Sequence, residues 1–439
     1  MTTRNGLIVN GAMRALALVA SCSAAALFSS AAMAATDISV WTSLSPHNQK
    51  EFDDLVTSFN RSQKDVKVNV RAFSSDEELD AVLDQQATKD LPNLVQLSEM
   101  SGQHEVADRP YILPMHTLLG QQNLSNVSWY LANNSFMRNN RGQLQALPYM
   151  AEVPVVFYNT EAFTKAGLQG QAPNRVWSEL QGQLVELANN GSRQCPLTSD
   201  QSVSVNLENL AAVNNQLYGL TAGAKGKNTE GFKFDLMYIR HVSMMVSWVK
   251  SELLVRPEFL SQSSRRFAEG ECAVMFSDSG HLGGYAAAPK LKFAIQSLPY
   301  YPEVTRTPGK PFVTGSALWA TKGHSKESDQ ASARFISWLA QPEQAARWYQ
   351  GTGYLPLTKE ALAATPADYY RNLGEWQNIV AAYGSGSSST AKGSFRNYRQ
   401  VRAVFTQSLE NALEGKQPAV TALNTAAAEA NKLLQQKAR

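Results

Sequence analysis

Three carboxylates stand out by their surroundings. Glu99 follows a short apolar run, Glu152 precedes another, and Asp278 lies in the turn Ser277-Asp278-Ser279-Gly280. Two such acids set across a sugar would equip a glycosidase. Left ionised, they only accept hydrogen bonds, which suits the hydroxyls of a polyol or an ammonium group held without reaction. The rest of the chain offers little for turnover. The six histidines, His47, His104, His116, His241, His281 and His324, show no metal-ligand spacing. There is no G-x-S-x-G, no G-x-G-x-x-G and no cysteine–histidine signature. Gly226-Lys227 sits in a Gly- and Lys-rich loop, Ala222 to Glu230, without the spacing of a phosphate-binding P-loop. The expectation is a binder rather than an enzyme, with no cofactor and no metal.

Donors complement these acids. Arg396, Arg399 and Arg402, at i, i+3 and i+6, share one face of a helix. They form either a solvated basic face or, beside the hydroxyl-rich Gly384–Ser389 loop, an anion site. The Ser277–Gly280 turn opens a helix, so its hydroxyls and amides either cap that helix or point at a ligand. Glu99 has the same two readings, a carboxylate stabilised by a helix dipole or an acceptor for a ligand hydroxyl.

The elements that must hold these residues follow from periodicity. Ile38–Trp41 is a short strand; Phe52, Leu55, Val56 and Phe59 mark one face of a helix; Val66, Val68 and Val70 alternate as a second strand. Asp76–Lys89 reads as a helix with Leu79, Val82 and Leu83 inward, and Asn93–Leu97 as a third strand. That order argues a parallel sheet with right-handed crossovers. Ligands bind beyond the carboxyl ends of such strands, which puts the loops Thr42–His47, Phe73–Glu78 and Ser98–Gly102 near a cleft. Val153–Tyr158, apolar on both faces, reads as a first crossing strand and Phe312–Trp319 as a second, with Gly315 allowing close approach. Phe234–Leu254 is a long helix with an apolar face of Met237, Ile239, Val242, Met245, Val246 and Val249, and residues 403–437 form one or two terminal helices. No internal repeat is visible.

A chain of 439 residues exceeds one ordinary domain. Arg4 and Arg14, the apolar run Ala15–Phe28 and Ala32-Met33-Ala34 compose a cleavable export signal. Val19-Ala20-Ser21-Cys22 faintly resembles a lipoprotein cleavage box, so lipidation of Cys22 stays open. Loss of the leader removes two positive charges from a formal +3. The near-neutral remainder gives no electrostatic case for nucleic acid or an anionic membrane surface. It keeps Cys195 and Cys272, and two cysteines in an exported chain suggest one disulfide, the alternative being two free buried thiols. Closing that loop would stabilise by at most roughly 4 kcal/mol.

Tyr158, Asn159, Phe163, Ala166, Gly167, Leu168, Pro173, Trp177 and Leu180 resemble the signature region of bacterial extracellular solute-binding proteins, the binding subunits of ABC importers. Phe335–Pro356 is a second match, and shorter ones at Leu207-Glu208-Asn209, Cys272-Ala273, Ser279-Gly280 and Leu318-Trp319 extend the likeness from about Ile38 to Lys432. The resemblance is strongest to the glycerol-3-phosphate binders, which carry cysteines in equivalent places. It implies an α/β, two-lobed periplasmic-binding-protein fold with a ligand cleft between the lobes. Residues 1–34 would be the leader, 35–150 plus 314–357 one lobe, and 151–313 plus 358–439 the other. It implies a periplasmic monomer that captures a small-molecule ligand and delivers it to permease subunits in the inner membrane. The ligand would be glycerol-3-phosphate or a related glycerophosphodiester; a sugar or polyol binder and a secreted hydrolase are the alternatives. The family's ligand-binding positions fall on Ser75, Glu99, Glu152, Asp278, Gly315, Tyr354 and Arg402. Family hydroxyls are replaced at Ser75 (a tyrosine), Glu152 and Asp278 (serines), and a tryptophan near the ligand falls on Ser204. Two carboxylates beside a phosphate repel it, so these departures argue against unmodified glycerol-3-phosphate.

Overall fold

Alternation of apolar residues places the first strands. Ile38 and Val40 are buried in β1 (Thr36–Thr42), and Val66 and Val68 in β2 (Val66–Ala72). The further strands are β3 (Leu94–Ser98), β4 (Ile112–Leu113), β5 (Leu147–Glu152), β6 (Pro154–Asn159), β7 (Cys195–Ser199), β8 (Cys272–Asp278), β9 (Phe293–Gln296) and β10 (Thr314–Thr321). The structure is a computed structural model that describes residues 35–120, 127–190, 194–220, 231–256, 260–384, 393 and 395–436. Residues 1–34, expected to be an export signal, the 222–230 loop and residues 385–389 of the hydroxyl-rich loop lie outside the described residues.

β1 pairs in parallel with both β2 and β3, as the strand–helix alternation requires. The intervening helix Pro46–Ser62 buries Phe52, Leu55, Val56 and Phe59. The next, Asp76–Asp84, buries Leu79 and Leu83 and ends short of the expected Lys89; a 3-10 turn, Thr88–Asp90, takes up the rest. The first sheet has the order β2-β1-β3-β10-β4, with β5 also on β10. There β10 runs antiparallel to β3, β4 and β5. The second sheet is β7-β8-β6-β9, parallel only between β7 and β8.

The expected crossing strand Val153–Tyr158 lies in β6 apart from Val153, but the crossing comes before it. β5 belongs to the first sheet and β6 to the second, and the chain passes between them at Val153. Pro154 lacks the amide that would continue a ladder, so it opens β6 instead. The second crossing likewise precedes its strand, because β10 starts at Thr314 rather than Phe312.

Most signature residues hold this unit together. Asn159 accepts a hydrogen bond from the Ala162 amide at 3.0 Å and caps the helix Thr160–Lys165. The Tyr158 and Phe163 rings lie 5.2 Å apart, and Trp177 packs on Phe276 at 5.7 Å. Cys195 and Cys272 are register partners at the start of β7 and β8, with Cα atoms 4.5 Å apart, and they form the disulfide.

The long helix, Leu236–Lys250, buries Tyr238, His241, Val242, Met245 and Trp248, a face rotated from the apolar one expected. His241 causes the shift: Tyr301 and Asn206 meet its two ring nitrogens at 3.0 and 2.9 Å, so a polar side chain is satisfied in the core. A cluster containing Val95, Leu97 and Trp319 from the first sheet and Phe157 and Met275 from the second joins the two halves of the core. No helix among the described residues is long and apolar enough to cross a membrane.

Candidate functional site

The carboxyl ends of strands from both sheets converge on one cavity of about 160 Å³. Ser43 and Ser45 follow β1, and Glu99 and Met100 follow β3. Glu152 ends β5, Asp278 ends β8, and Thr314, Gly315 and Ser316 open β10. Asp76, Ser204, Glu208, Gly280, Tyr354 and Arg402 complete much of the wall. All three cleft loops expected from the first sheet reach it.

Glu152 and Asp278 are brought together by the crossing at Val153. Glu152 is register partner to Thr314, and Pro154 to Asp278. Thr314 Oγ1 donates to Asp278 Oδ1 at 3.3 Å, and the Gly280 amide donates to Glu152 Oε2 at 3.2 Å. These donors are too few for two anions. Burial pushes the Asp278 carboxyl up to about 7, against the Thr314 hydrogen bond. Burial, and next the Asp278 charge, push Glu152 well above the usual carboxylate range. Asp200, at the end of β7, is raised for the same two reasons, although Ser277 Oγ donates to it at 2.9 Å. His281 meets Ser277 Oγ at 2.8 Å, and burial lowers its pKa to about 4. At neutral pH this wall therefore holds a protonated Glu152 and a neutral His281 imidazole, with Asp278 near the midpoint of its titration.

Glu208 is treated differently. It is fully buried, yet it accepts hydrogen bonds from Arg402 and, at 2.5 Å, from Tyr398 Oη. It ends a π-helical turn, Ser204–Glu208, whose Ser204 oxygens both accept from Asn209 Nδ2 at 3.0 Å. Single π turns recur at functional sites. Burial opposes the charge of Arg402, and Glu208 more than restores it, so its pKa is raised. Burial likewise raises Asp76, against a hydrogen bond from Ser43.

Of the seven binding positions expected, Glu99, Glu152, Asp278, Gly315, Tyr354 and Arg402 line this cavity. Ser75 does not; its hydroxyl accepts from the Glu78 amide at 3.1 Å and caps a helix, and the next residue, Asp76, lines the wall. Gly315 has φ +97°, and a Cβ there would lie 2.3 Å from the Met150 carbonyl oxygen, so the close approach it permits is to β5. Tyr354 is held by stacking on Trp348 at 5.5 Å. The three arginines do not share a basic face. Arg396 precedes the helix Tyr398–Leu413, Arg399 pairs with Asp80 at 2.7 Å, and Arg402 pairs with Glu208. Asp76 and Glu208 line the cavity without having been expected as binding positions, and Asp200, behind the wall, accepts from Ser277. Asp200 directly follows β7 and Asp278 closes the neighbouring β8, an acid at a strand's carboxyl end in each case that the sequence could have signalled.

Among the described residues no group of acids, histidines or cysteines could hold a metal ion. Residues 54–373 match the family described as bacterial extracellular solute-binding protein. The chain is 28% identical over 412 residues to the sn-glycerol-3-phosphate-binding periplasmic protein UgpB of Rhizobium meliloti (strain 1021), covering 92% of this chain and 95% of that one. It is 28% identical over 421 residues to the protein of the same name from Escherichia coli (strain K12), covering 92% and 93%. Its fold resembles UgpB from Mycobacterium tuberculosis in complex with glycerophosphocholine (TM-score 0.72, 18% identity, 91% and 99% covered). It also resembles maltose-bound MalE3 of T. maritima (TM-score 0.74, 17% identity, 91% and 100% covered).

Proposed function

The chain belongs to the bacterial extracellular solute-binding proteins, and from that premise we propose that it is the periplasmic binding component of an ABC importer that captures a glycerophosphodiester in preference to glycerol-3-phosphate. The observation that carries this reading is the charge of the cavity wall. Asp76, Glu99, Glu152, Glu208 and Asp278 line it against one arginine, Arg402, which already pairs with Glu208. With Glu208 paired and protons held on Glu152 and, in part, on Asp278, the described residues of this wall offer a phosphate monoester, close to dianionic at neutral pH, no cation that is not already paired, and each acid that ionises there would repel it. A glycerol end donates its hydroxyls to such a wall, and a diester carries a single negative charge that an amine head group cancels. The names of the relatives point to the same chemical class.

We take residues 35–150 with 314–357 as one lobe and 151–313 with 358–439 as the other, closing on the ligand as a monomer after loss of residues 1–34. Closure is stabilised only by contacts the ligand makes better in the closed state, and the closed form would then deliver it to the permease. The protonated pair Glu152 and Asp278 serves as a set of hydrogen-bonding groups in this reading, and no reaction is assigned to it. A neutral sugar or polyol is the second reading, favoured by the engagement of Arg402 with Glu208.

A thermal-shift panel tests these readings. It would hold glycerol-3-phosphate, glycerophosphocholine, glycerophosphoethanolamine, sugars and polyols. A true ligand at about a hundred times its Kd adds about 2.7 kcal/mol of stability. The diesters are expected to shift the transition more than glycerol-3-phosphate does. A larger shift with glycerol-3-phosphate would refute the electrostatic argument, and a shift with sugars alone would establish the second reading.

A further inference from the structure

A second and larger chamber, of about 520 Å³, shares Glu99 with the first as a wall. Its polar lining is of another kind. Glu99 is the one carboxylate among the described residues that line it, and the polar wall otherwise includes His104, Arg138, Ser135 and asparagines such as Asn133 and Asn139. Arg138 Nη1 donates to the Gly142 carbonyl at 2.7 Å. Its Nε and Nη2 are buried and have no hydrogen-bond partner among the described residues. Buried guanidinium N–H groups left unmade carry the full cost of their desolvation. Burial alone moves the Arg138 pKa, downward, and no charged neighbour offsets it. Arg402, by contrast, is answered within the protein by Glu208. Arg138 and Arg402 are the Arg or Lys side chains among the described residues that line the two chambers. Of these, Arg138 has no acid partner among the described residues, and its buried Nε and Nη2 donors form a planar fork that matches two oxygens of one oxyanion.

We propose that the second chamber is an oxyanion subsite, in which Arg138 receives the phosphodiester group of a solute whose glycerol end lies in the first chamber against Glu152 and Asp278. This rests on the glycerophosphodiester reading above and adds to it a place for the charge. It places the phosphate away from Glu152 and Asp278, with Glu99 as the one carboxylate that the two chambers share.

Calorimetric titration of the mature protein with glycerophosphocholine tests it in wild type, Arg138→Gln, Arg138→Lys and Asn133→Asp. Loss of a buried hydrogen bond to a charged group is expected to weaken binding about tenfold to a hundredfold in Arg138→Gln. Arg138→Lys should recover part of that, because charge is kept and the fork is lost. Asn133 is exposed, so Asn133→Asp adds a negative charge at the rim without disturbing packing, and should weaken the diester several-fold in a salt-dependent way. Neutral polyols should bind all four proteins alike. A folded Arg138→Gln protein that binds the diester as tightly as wild type overturns the proposal. So does an unchanged Asn133→Asp protein, should Arg138→Gln fail to fold. If wild type binds no glycerophosphodiester, the functional reading fails, and sodium phosphate then reads the subsite alone. Stabilisation of wild type but not of Arg138→Gln or Asn133→Asp would keep an oxyanion site, and equal behaviour of the proteins would remove it.

Discussion

Glu208 and Asp278 line the same cavity and are both buried, at 0% and 7% exposure, yet they end as different chemical species. Glu208 meets a guanidinium and a phenol, Arg402 and Tyr398, and stands as one half of an ion pair. Asp278 meets a single hydroxyl, Thr314, with Glu152 and Asp200 as acidic neighbours, and keeps its proton up to about pH 7. Burial is common to both, so the partner decides whether a buried carboxyl is an anion or an acid. A ligand entering this cavity finds one wall already neutralised by ion pairing and another neutralised by protons. Only the second can change its charge in answer to what binds.

The largest effect should come from breaking the ion pair. Arg402→Gln leaves Glu208 buried without its cation and should cost about 3–5 kcal/mol in urea unfolding. Combining it with Glu208→Gln should restore much of that loss, and a double variant no better than the single would show that the pair is not the source. Asp278 should respond in the opposite sense. It holds its proton to about pH 7 when folded and to near 3.8 when unfolded, so its contribution falls as pH rises through that window. Asp278→Asn should therefore match wild type near about pH 4 and exceed it by about 2–4 kcal/mol near about pH 8. Equal stability at both ends would mean that Asp278 titrates normally and that the contrast with Glu208 is absent.

Gly315→Ala probes the geometry that presses the acid pair together. Its Cβ would lie 3.0 Å from Glu152 Cγ as well as against β5, at a positive φ, and about 1–3 kcal/mol of destabilisation is expected. The smallest effect belongs to Thr314→Val, which removes the hydroxyl donor to Asp278 at a cost of about 1 kcal/mol. It should move the Asp278 titration further up, as carboxyl NMR shifts would report; a downward move would contradict the role given to Thr314.

Much of this was present in the sequence. Local rules suffice where a residue's role depends on its neighbours in the chain. The face of Phe52, Leu55, Val56 and Phe59, the parallel start of the first sheet, and the placing of Glu99 and Asp278 at the carboxyl ends of strands all follow from periods of a few residues. The positions of Gly315, Tyr354 and Arg402 came from resemblance to a family, which reports the outcome of folding without its cause. Pairing across long stretches of chain was not readable. Asp80 binds Arg399 across 319 residues and Glu208 binds Arg402 across 194. The three arginines therefore looked like one basic face until the tertiary structure gave two of them separate acids. His241 turned inward for a similar reason, its partners Asn206 and Tyr301 lying 35 and 60 residues away. The sequence by itself determined which elements form and which polar residues stand at their ends, because those depend on backbone periodicity. Only the tertiary structure decided which of those residues are charged, because charge in a buried site is set by the one or two groups that the fold brings within hydrogen-bonding distance.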